Sequence, residues 1–170
     1  MNVIEAILTR RSVRKYTGEP LKDDELKLIL RAGFYAPSAH NHRPWHFIVI
    51  KDRELIEAIV RTHKYAGMLP QAGCAIIVCG DKTLEKMPGF IIEDCSAAME
   101  NMLLAAHGLG LGAVWCGLYP VGRITRAMNR LLELPPEIIP VGMAVVGHSD
   151  VEAGAAPERY DESRVHFEKW

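Results

Sequence analysis

The sequence predicts one domain in which a sheet is flanked by helices, of either the α/β or the α+β class. Segments with the apolar spacing of helices alternate with short apolar runs, and no repeat or low-complexity linker divides the chain. A chain of 170 residues suits a single core, and its 49% hydrophobic and 24% charged residues are ordinary for a soluble globular protein.

The first element is a helix predicted over residues 2–9. Asn2 can cap its N-terminus, and four apolar residues recur at helical spacing along one side. This apolar stripe consists of Val3, Ile4, Ile7 and Leu8.

A basic segment, residues 10–16, follows the first helix and contains four cationic side chains in a chain whose net charge is −1. In an extended conformation Arg10, Ser12 and Arg14 project to the same side, and two guanidinium groups flanking a hydroxyl suit a phosphate. Arg11 and Lys15 then face the other way, towards water. The alternative is a basic surface turn that binds no ligand.

After the break at Gly18 and Pro20, a second helix is predicted over 22–34, with acidic residues favouring its N-terminus. The loop over 36–45 is rich in proline and polar donors and leads into a strand predicted over 46–50. Such a loop is a common place for a ligand contact. The alternative is a connecting loop whose tryptophan packs into the core.

A third helix is predicted over 53–63, and the apolar run 73–80 between two glycines predicts a buried strand. Residues 81–90 have mixed charge and are predicted to form a loop that could act as a lid. The longest helix, predicted over 93–109, is apolar nearly all round. It is therefore expected to be buried on several sides, in the middle of the domain or against a second subunit.

Three alternating glycines, Gly108, Gly110 and Gly112, come after this helix and predict a cap and a tight turn. A dinucleotide-binding fingerprint would place its glycines before a helix. The strand predicted over 113–117 ends in Gly117, which would let a backbone amide approach a flat ligand or is simply a glycine at a strand end.

The last predicted elements are a helix over 121–132 and a strand over 141–147. The tail over 150–170 is polar but contains aromatic residues, including Phe167 and Trp170. We expect it to dock on its own domain or on a partner subunit.

Charge and hydropathy exclude several classes of protein. A net charge of −1 argues against a general nucleic-acid binder, and no apolar run approaches the roughly 20 residues of a membrane-spanning helix. The first residues lack the apolar segment of a secretory signal, so the expected location is the cytoplasm.

Metal-binding patterns are also weak in the sequence. Cys74, Cys79, Cys95 and Cys116 are scattered and form no closely spaced pair. His40, His42 and His46 lie close together, but no acidic residue or cysteine beside them completes a ligand set. The sequence therefore predicts no metal site.

Four stretches in order resemble the nitroreductase family. They are Arg-Arg-Ser-Val-Arg-Lys-Tyr after a short helix, Ala-Pro-Ser-Ala-x-Asn-x-x-Pro-Trp, a long Ala/Leu helix followed by Gly-Leu-Gly-x-x-Trp, and Pro157-Glu158-Arg159-Tyr160. The resemblance implies an α+β fold with a central mixed, mostly antiparallel sheet flanked by helices, in an intertwined homodimer. Residues 1–170 would then form a single FMN-binding domain whose tail, 150–170, docks on the partner subunit.

The resemblance also implies a set of cofactor-binding residues. Arg10, Ser12 and Arg14 would hold the phosphate and ribityl end of FMN, and Arg14 could instead serve the ring edge near N1 and C2=O. The other residues of the set are Arg11 in the same segment, Arg159 at the phosphate, Ser38 and Asn41 reaching the flavin of the other subunit, and Cys116 and Gly117 beside the reactive ring edge. Arg43 is a weaker candidate.

The implied reaction is hydride transfer from NAD(P)H to flavin N5 and then to an oxidised acceptor such as a nitroaromatic or a quinone. Because the flavin supplies the chemistry, no side chain is predicted as a catalytic acid or base. Glu93, Asp94 and Tyr119 are candidates for substrate contact. The alternatives are a relative that uses FMN for dehalogenation or flavin breakdown, and a non-catalytic flavin-binding or sensing protein.

Overall fold

The computed structural model describes residues 1–151, 154 and 157–170, and within them five α-helices flank a sheet of four strands. The helices are α1 (Val3–Thr9), α2 (Asp23–Phe34), α3 (Arg53–Thr62), α4 (Pro88–Gly108) and α5 (Gly122–Leu131), and the strands are β1 (Trp45–Ile50), β2 (Cys74–Asp81), β3 (Gly112–Gly117) and β4 (Ile138–Gly147). None of the helices in these ranges has the length and hydropathy that a bilayer crossing requires.

The sheet has the strand order β1-β2-β4-β3, and each neighbouring pair is antiparallel. A single parallel bridge joins Ser12 of the basic segment to Ala113 of β3, where the Val13 amide donates to the Ala113 carbonyl at 2.9 Å. This bridge extends the sheet beyond β3. The predicted α+β fold with a mostly antiparallel sheet is therefore confirmed.

Helices cover both faces of the sheet. On one face, Ile76 and Val78 of β2 pack with residues of α2 and α4, and on the other face Ile77 packs with α3 and α5. Since its side chains alternate between two covered faces, β2 is apolar along nearly its whole length, as the run between two glycines predicted.

The long helix α4 starts five residues earlier than the sequence pattern predicted, at Pro88 instead of residue 93. Proline is tolerated in the first helical turn because its missing N–H would have no partner there in any case. The last residues of the loop predicted over 81–90 therefore belong to the helix, which begins at Pro88. The helix packs against the sheet and α2, so its burial within the domain is confirmed.

The turn after α4 positions the basic segment. Gly110 has a φ of +76°, and the Leu111 amide donates to the Ala106 carbonyl at 2.9 Å, so the predicted cap and tight turn are confirmed. At Gly112, a Cβ atom would lie only 2.7 Å from Cγ1 of Val13. Glycine therefore lets the basic segment lie directly against the start of β3.

Helix α1 is formed by local interactions but is not buried. The Glu5 amide donates to Oδ1 of Asn2 at 2.9 Å, and the Asn2 amide donates to Oε2 of Glu5 at 3.3 Å, which together form a capping box. Its apolar stripe is 52–72% exposed, and within the described chain the helix has no buried residue. A helix of seven residues is too short to be stable alone in water, so the stripe needs a surface that covers it.

Candidate functional site

A cavity of about 510 Å³ opens at the C-terminal end of β3, between the segment that follows α3 and the start of α5. It is lined by three of the residues that the sequence nominated, Arg14, Cys116 and Gly117. Three others, His63, Lys64 and Tyr65, were missed. The fold thus brings part of the basic segment to the strand end.

The basic segment is extended beside β3, as the phosphate hypothesis required. In the parallel register set by the bridge from Ser12 to Ala113, Arg14 comes level with Trp115. The buried Tyr16 holds the end of the segment, because its hydroxyl lies 2.7 Å from the Val13 carbonyl and 3.1 Å from the Val145 carbonyl. Ser12 and Arg14 are exposed and free to contact a ligand.

Arg10 and Arg11 lie towards α4. Nε of Arg10 is 3.3 Å from Oε1 of Glu100, and one guanidinium nitrogen of Arg11 donates to the Arg10 carbonyl at 2.6 Å. The expectation that Arg11 faces water is wrong, because its packing against the end of α1 half-buries it. Its other terminal nitrogen is buried without an acceptor in the described part of the chain.

Arg10 and Arg11 both affect the pKa of His107 on α4. Burial lowers the pKa of this histidine, and the positive charges of Arg10 and Arg11 lower it further. His107 Nε2 lies 2.8 Å from the Thr9 hydroxyl, which links α4 to the end of α1. Both guanidinium groups therefore lie close to His107, and Glu100 pairs with one of them.

Gly117 is held by a buried histidine. Nε2 of His63 lies 2.9 Å from the Gly117 carbonyl oxygen, and Nδ1 of His63 lies 3.2 Å from the Tyr65 amide. An amide can only donate and a carbonyl can only accept, so the geometry requires the neutral ring with its proton on Nε2. A Cβ atom on Gly117 would meet nothing within 4 Å, so its backbone borders open space.

Cys116 has the environment of a structural thiol. Its side chain is 4% exposed, and Sγ donates to the Tyr65 carbonyl at 3.6 Å. Burial raises the pKa of the Cys116 thiol, although the nearby Arg14 guanidinium opposes the rise. A neutral, buried thiol is a poor nucleophile, so this position offers its backbone groups to a ligand.

Ser38, Asn41 and Arg159 lie outside this cavity. The Ser38 hydroxyl accepts from the Arg43 amide at 2.9 Å, and Asn41 follows in a turn with a φ of +57°. Arg159 lines a separate groove of about 580 Å³ whose other wall is formed by Ile7 and Leu8 of α1. Within one chain the structure therefore groups Arg14, Cys116 and Gly117 and leaves these three residues elsewhere.

The sequence does contain a pattern that could have indicated His63, Lys64 and Tyr65 as site residues. His63, Lys64 and Tyr65 form a run of donors and an aromatic ring directly after α3 and shortly before a glycine. The loop over 36–45 was nominated on the same kind of evidence. Lys64 Nζ lies 4.7 Å from the centroid of the Tyr65 ring, so the run presents a cation and an aromatic face together.

The lining of the cavity fits a flat, partly apolar ligand that carries negative charge. Its volume falls within the roughly 300–1,000 Å³ of small-molecule sites. Tyr65, Val121 and Ile124 supply apolar walls, while Arg14 and Lys64 supply cationic donors. The open backbone at Gly117 adds polar groups, so these residues fit the FMN that the resemblance implies.

Comparisons with known proteins show which family this chain is similar to. The sequence profile of the nitroreductase family matches residues 7–62 and 57–148. A protein of Methanothermobacter thermautotrophicus named NADH dehydrogenase/NAD(P)H nitroreductase is 46% identical over 170 residues, which are 100% of this chain and 88% of that protein.

Solved structures show the same similarity. A crystal structure from Parabacteroides distasonis with the same name has a TM-score of 0.93 and 36% identity, with 98% of each chain covered. A nitroreductase from Desulfovibrio desulfuricans, solved in complex with FMN, has a TM-score of 0.84 and 32% identity, covering 100% of this chain and 99% of that one.

Proposed function

The chain belongs to the nitroreductase family of oxidoreductases, and from this membership we propose that it passes a hydride from NAD(P)H through FMN to an oxidised acceptor such as a nitroaromatic or a quinone. The observation that carries the proposal is the cavity in which Arg14, Tyr65 and the open backbone of Gly117 meet. When bound there, FMN supplies the redox chemistry, and the protein supplies binding, orientation and electrostatics.

We assign Arg14 to the edge of the flavin ring and not to the phosphate. Arg14 shares the cavity with Tyr65 and Gly117, whereas Arg10 and Arg11 lie towards α4. A cation beside N1 and C2=O stabilises the anionic reduced flavin and raises its reduction potential. Arg10, Arg11 and Ser12 are then the phosphate ligands, and Glu100 orients Arg10 through their ion pair.

Gly117 and Cys116 border the reactive edge of the ring with their backbone groups. Because His63 donates to the Gly117 carbonyl, it holds this peptide in one orientation. His63 is only 2% exposed, so its own orientation is restricted by packing. We propose that His63 is a positioning residue that aims the peptide at the flavin without touching the substrate.

Replacing His63 with alanine is expected to shift the reduction potential of the bound flavin, because the Gly117 peptide loses its restraint. It should also lower the free energy of unfolding by about 1–3 kcal/mol, since removing the buried His63 ring leaves a space in the core and takes the donor from the Gly117 carbonyl. The potential is measured by dye-coupled spectrophotometric titration and the stability by urea denaturation. His63→Gln, which keeps an N–H donor, is the control, and an unchanged potential in His63→Ala would argue against the positioning role.

We also propose that the functional unit is a homodimer in which each chain forms one FMN-binding domain. The uncovered stripe of α1 supports this, as do Phe167 and Trp170, which are 80% and 102% exposed and so contact little of their own chain. The tail over 150–170 would dock on the partner, although residues 152, 153, 155 and 156 lie outside the described residues. Ser38, Asn41 and Arg159 would complete the site across the interface.

The purified protein is expected to be yellow, to release FMN on denaturation, and to oxidise NADH or NADPH faster when a nitroaromatic or a quinone is added. Absorption spectroscopy, chromatography of the released flavin and a turnover assay at the nicotinamide absorbance check these outcomes. A colourless protein that takes up no added FMN would refute the proposal. Bound FMN without turnover with any acceptor would instead indicate a flavin-binding protein that is not a reductase.

A further inference from the structure

A second cluster of polar side chains lies outside the cavity. His40 and His42 belong to the short turn that precedes β1, and Glu85 belongs to the loop between β2 and α4. Nδ1 of His42 is 2.8 Å from Oε2 of Glu85, and Nδ1 of His40 is 4.0 Å from the same oxygen. One ring nitrogen of each histidine and one carboxylate oxygen of Glu85 all lie within 4.8 Å of one another.

We propose that His40, His42 and Glu85 bind a divalent transition-metal ion, with Zn²⁺ as the ion that these ligands suit. Two imidazole nitrogens and one carboxylate oxygen are a ligand set that Zn²⁺ uses in proteins, and three protein ligands leave one coordination position open. Imidazole also suits Cu²⁺ and Ni²⁺, whereas Mg²⁺ and Ca²⁺ prefer oxygen ligands alone.

The carboxylate is already oriented for this role. Oε1 of Glu85 accepts a hydrogen bond from the Met87 amide at 2.7 Å, which leaves Oε2 directed at the two imidazole rings. Glu85 is 3% exposed, but the side chains of His40 and His42 are 67% and 43% exposed, so an ion can enter from solvent.

The turn that carries the two histidines is held in place by Asp94 on α4. Asp94 is only 5% exposed. Its Oδ1 accepts a hydrogen bond from the amide of Ala39, the residue before His40. Oδ2 is buried without a partner in the described ranges. Asp94 therefore fixes the start of the turn that carries His40 and His42.

The competing explanation is that His42 and Glu85 form a hydrogen bond that only fixes the loop. The two explanations differ at His40, whose ring nitrogen is 4.0 Å from the carboxylate and too far for a hydrogen bond. Removing His40 would leave the loop contact intact, but it would remove one of the proposed ligands. His40→Ala is therefore the decisive variant.

The test is a calorimetric titration of tag-free, full-length protein, treated with a chelator and dialysed, with ZnCl₂ as the probe. We expect one ion to bind per chain, and we expect His40→Ala and His42→Ala each to weaken binding by more than about tenfold, because even groups that only support a ligand contribute roughly 10–100-fold. The matched control is His46→Ala, since His46 lies in the same region but pairs with Asp81 at 3.4 Å.

X-ray absorption at the zinc edge should then show two imidazole ligands and an oxygen ligand in the zinc-loaded protein. Failure to bind Zn²⁺ saturably would overturn the proposal, as would equal affinity in His40→Ala, His46→Ala and the wild type. Both results are read from zinc binding and not from flavin content or turnover, so the metal site and the proposed reductase function can fail separately.

Discussion

Replacing Arg14 with alanine is expected to weaken FMN binding by roughly ten- to a hundredfold, because one charged hydrogen bond contributes about 1.5–3 kcal/mol. Arg14 lines the cavity beside Cys116 and Gly117 and is exposed in the chain without ligand, so the variant should fold normally. Fluorescence titration with FMN measures the affinity directly, since bound flavin differs in emission from free flavin.

The matched control for this variant is Lys15→Ala, which removes a neighbouring exposed cation that does not line the cavity. Equal FMN affinity in the two variants would refute the assignment of Arg14. Arg10→Ala separates the two parts of the site, since it should also weaken FMN binding but leave the flavin potential close to that of the wild type. The potential should fall in Arg14→Ala, where the anionic reduced flavin loses its cationic neighbour.

The double variant Ile4→Asp, Ile7→Asp is expected to be a monomer that retains little FMN. These side chains are 64% and 52% exposed on α1, and full burial of such a side chain contributes about 1.5–3 kcal/mol, so two charges there would remove several kcal/mol from dimer formation. FMN should be lost with the dimer, because Ser38, Asn41 and Arg159 lie outside the cavity of their own chain.

Sedimentation equilibrium and the flavin-to-protein ratio measure both effects. Leu84→Asp is the control, since it places a charge on an apolar side chain that is 46% exposed in the loop before α4. A wild-type protein that sediments as a flavin-loaded monomer would contradict the shared site. A double variant that stays dimeric would show that α1 is covered by something other than the partner.

The helices and strands of this protein follow from patterns among neighbouring residues. The apolar run between two glycines predicted a strand close to β2, the helix predicted over 121–132 is close to α5, and the capping residue Asn2 marked the start of α1. The start of α4 was harder to predict, because its first residues are a proline and a glycine, which usually indicate a loop. The first turn of a helix nevertheless accepts proline. Element boundaries are set by packing as well as by local preference.

The candidate site was only partly visible in the chain. Arg14, Cys116 and Gly117 were nominated because each stood in a short stretch with a resemblance to the family, and the fold brings them to one cavity. His63 was not nominated, because its role depends on a hydrogen bond to Gly117, 54 positions along the chain. Glu85 was likewise not recognised as a partner for His42, because 43 positions separate the two.

By itself, the sequence determined most of the elements, because periodicity, capping and local charge are properties of residues that are neighbours in the chain, and its resemblance to the nitroreductase family implied the α+β class and the FMN ligand. Only the tertiary structure decided that Arg14 sits at the strand end while Arg10 and Arg11 face α4, that His63 holds Gly117, and that Glu85 meets His40 and His42. These contacts join distant residues, and their distances depend on how strands and helices pack, which no local pattern encodes.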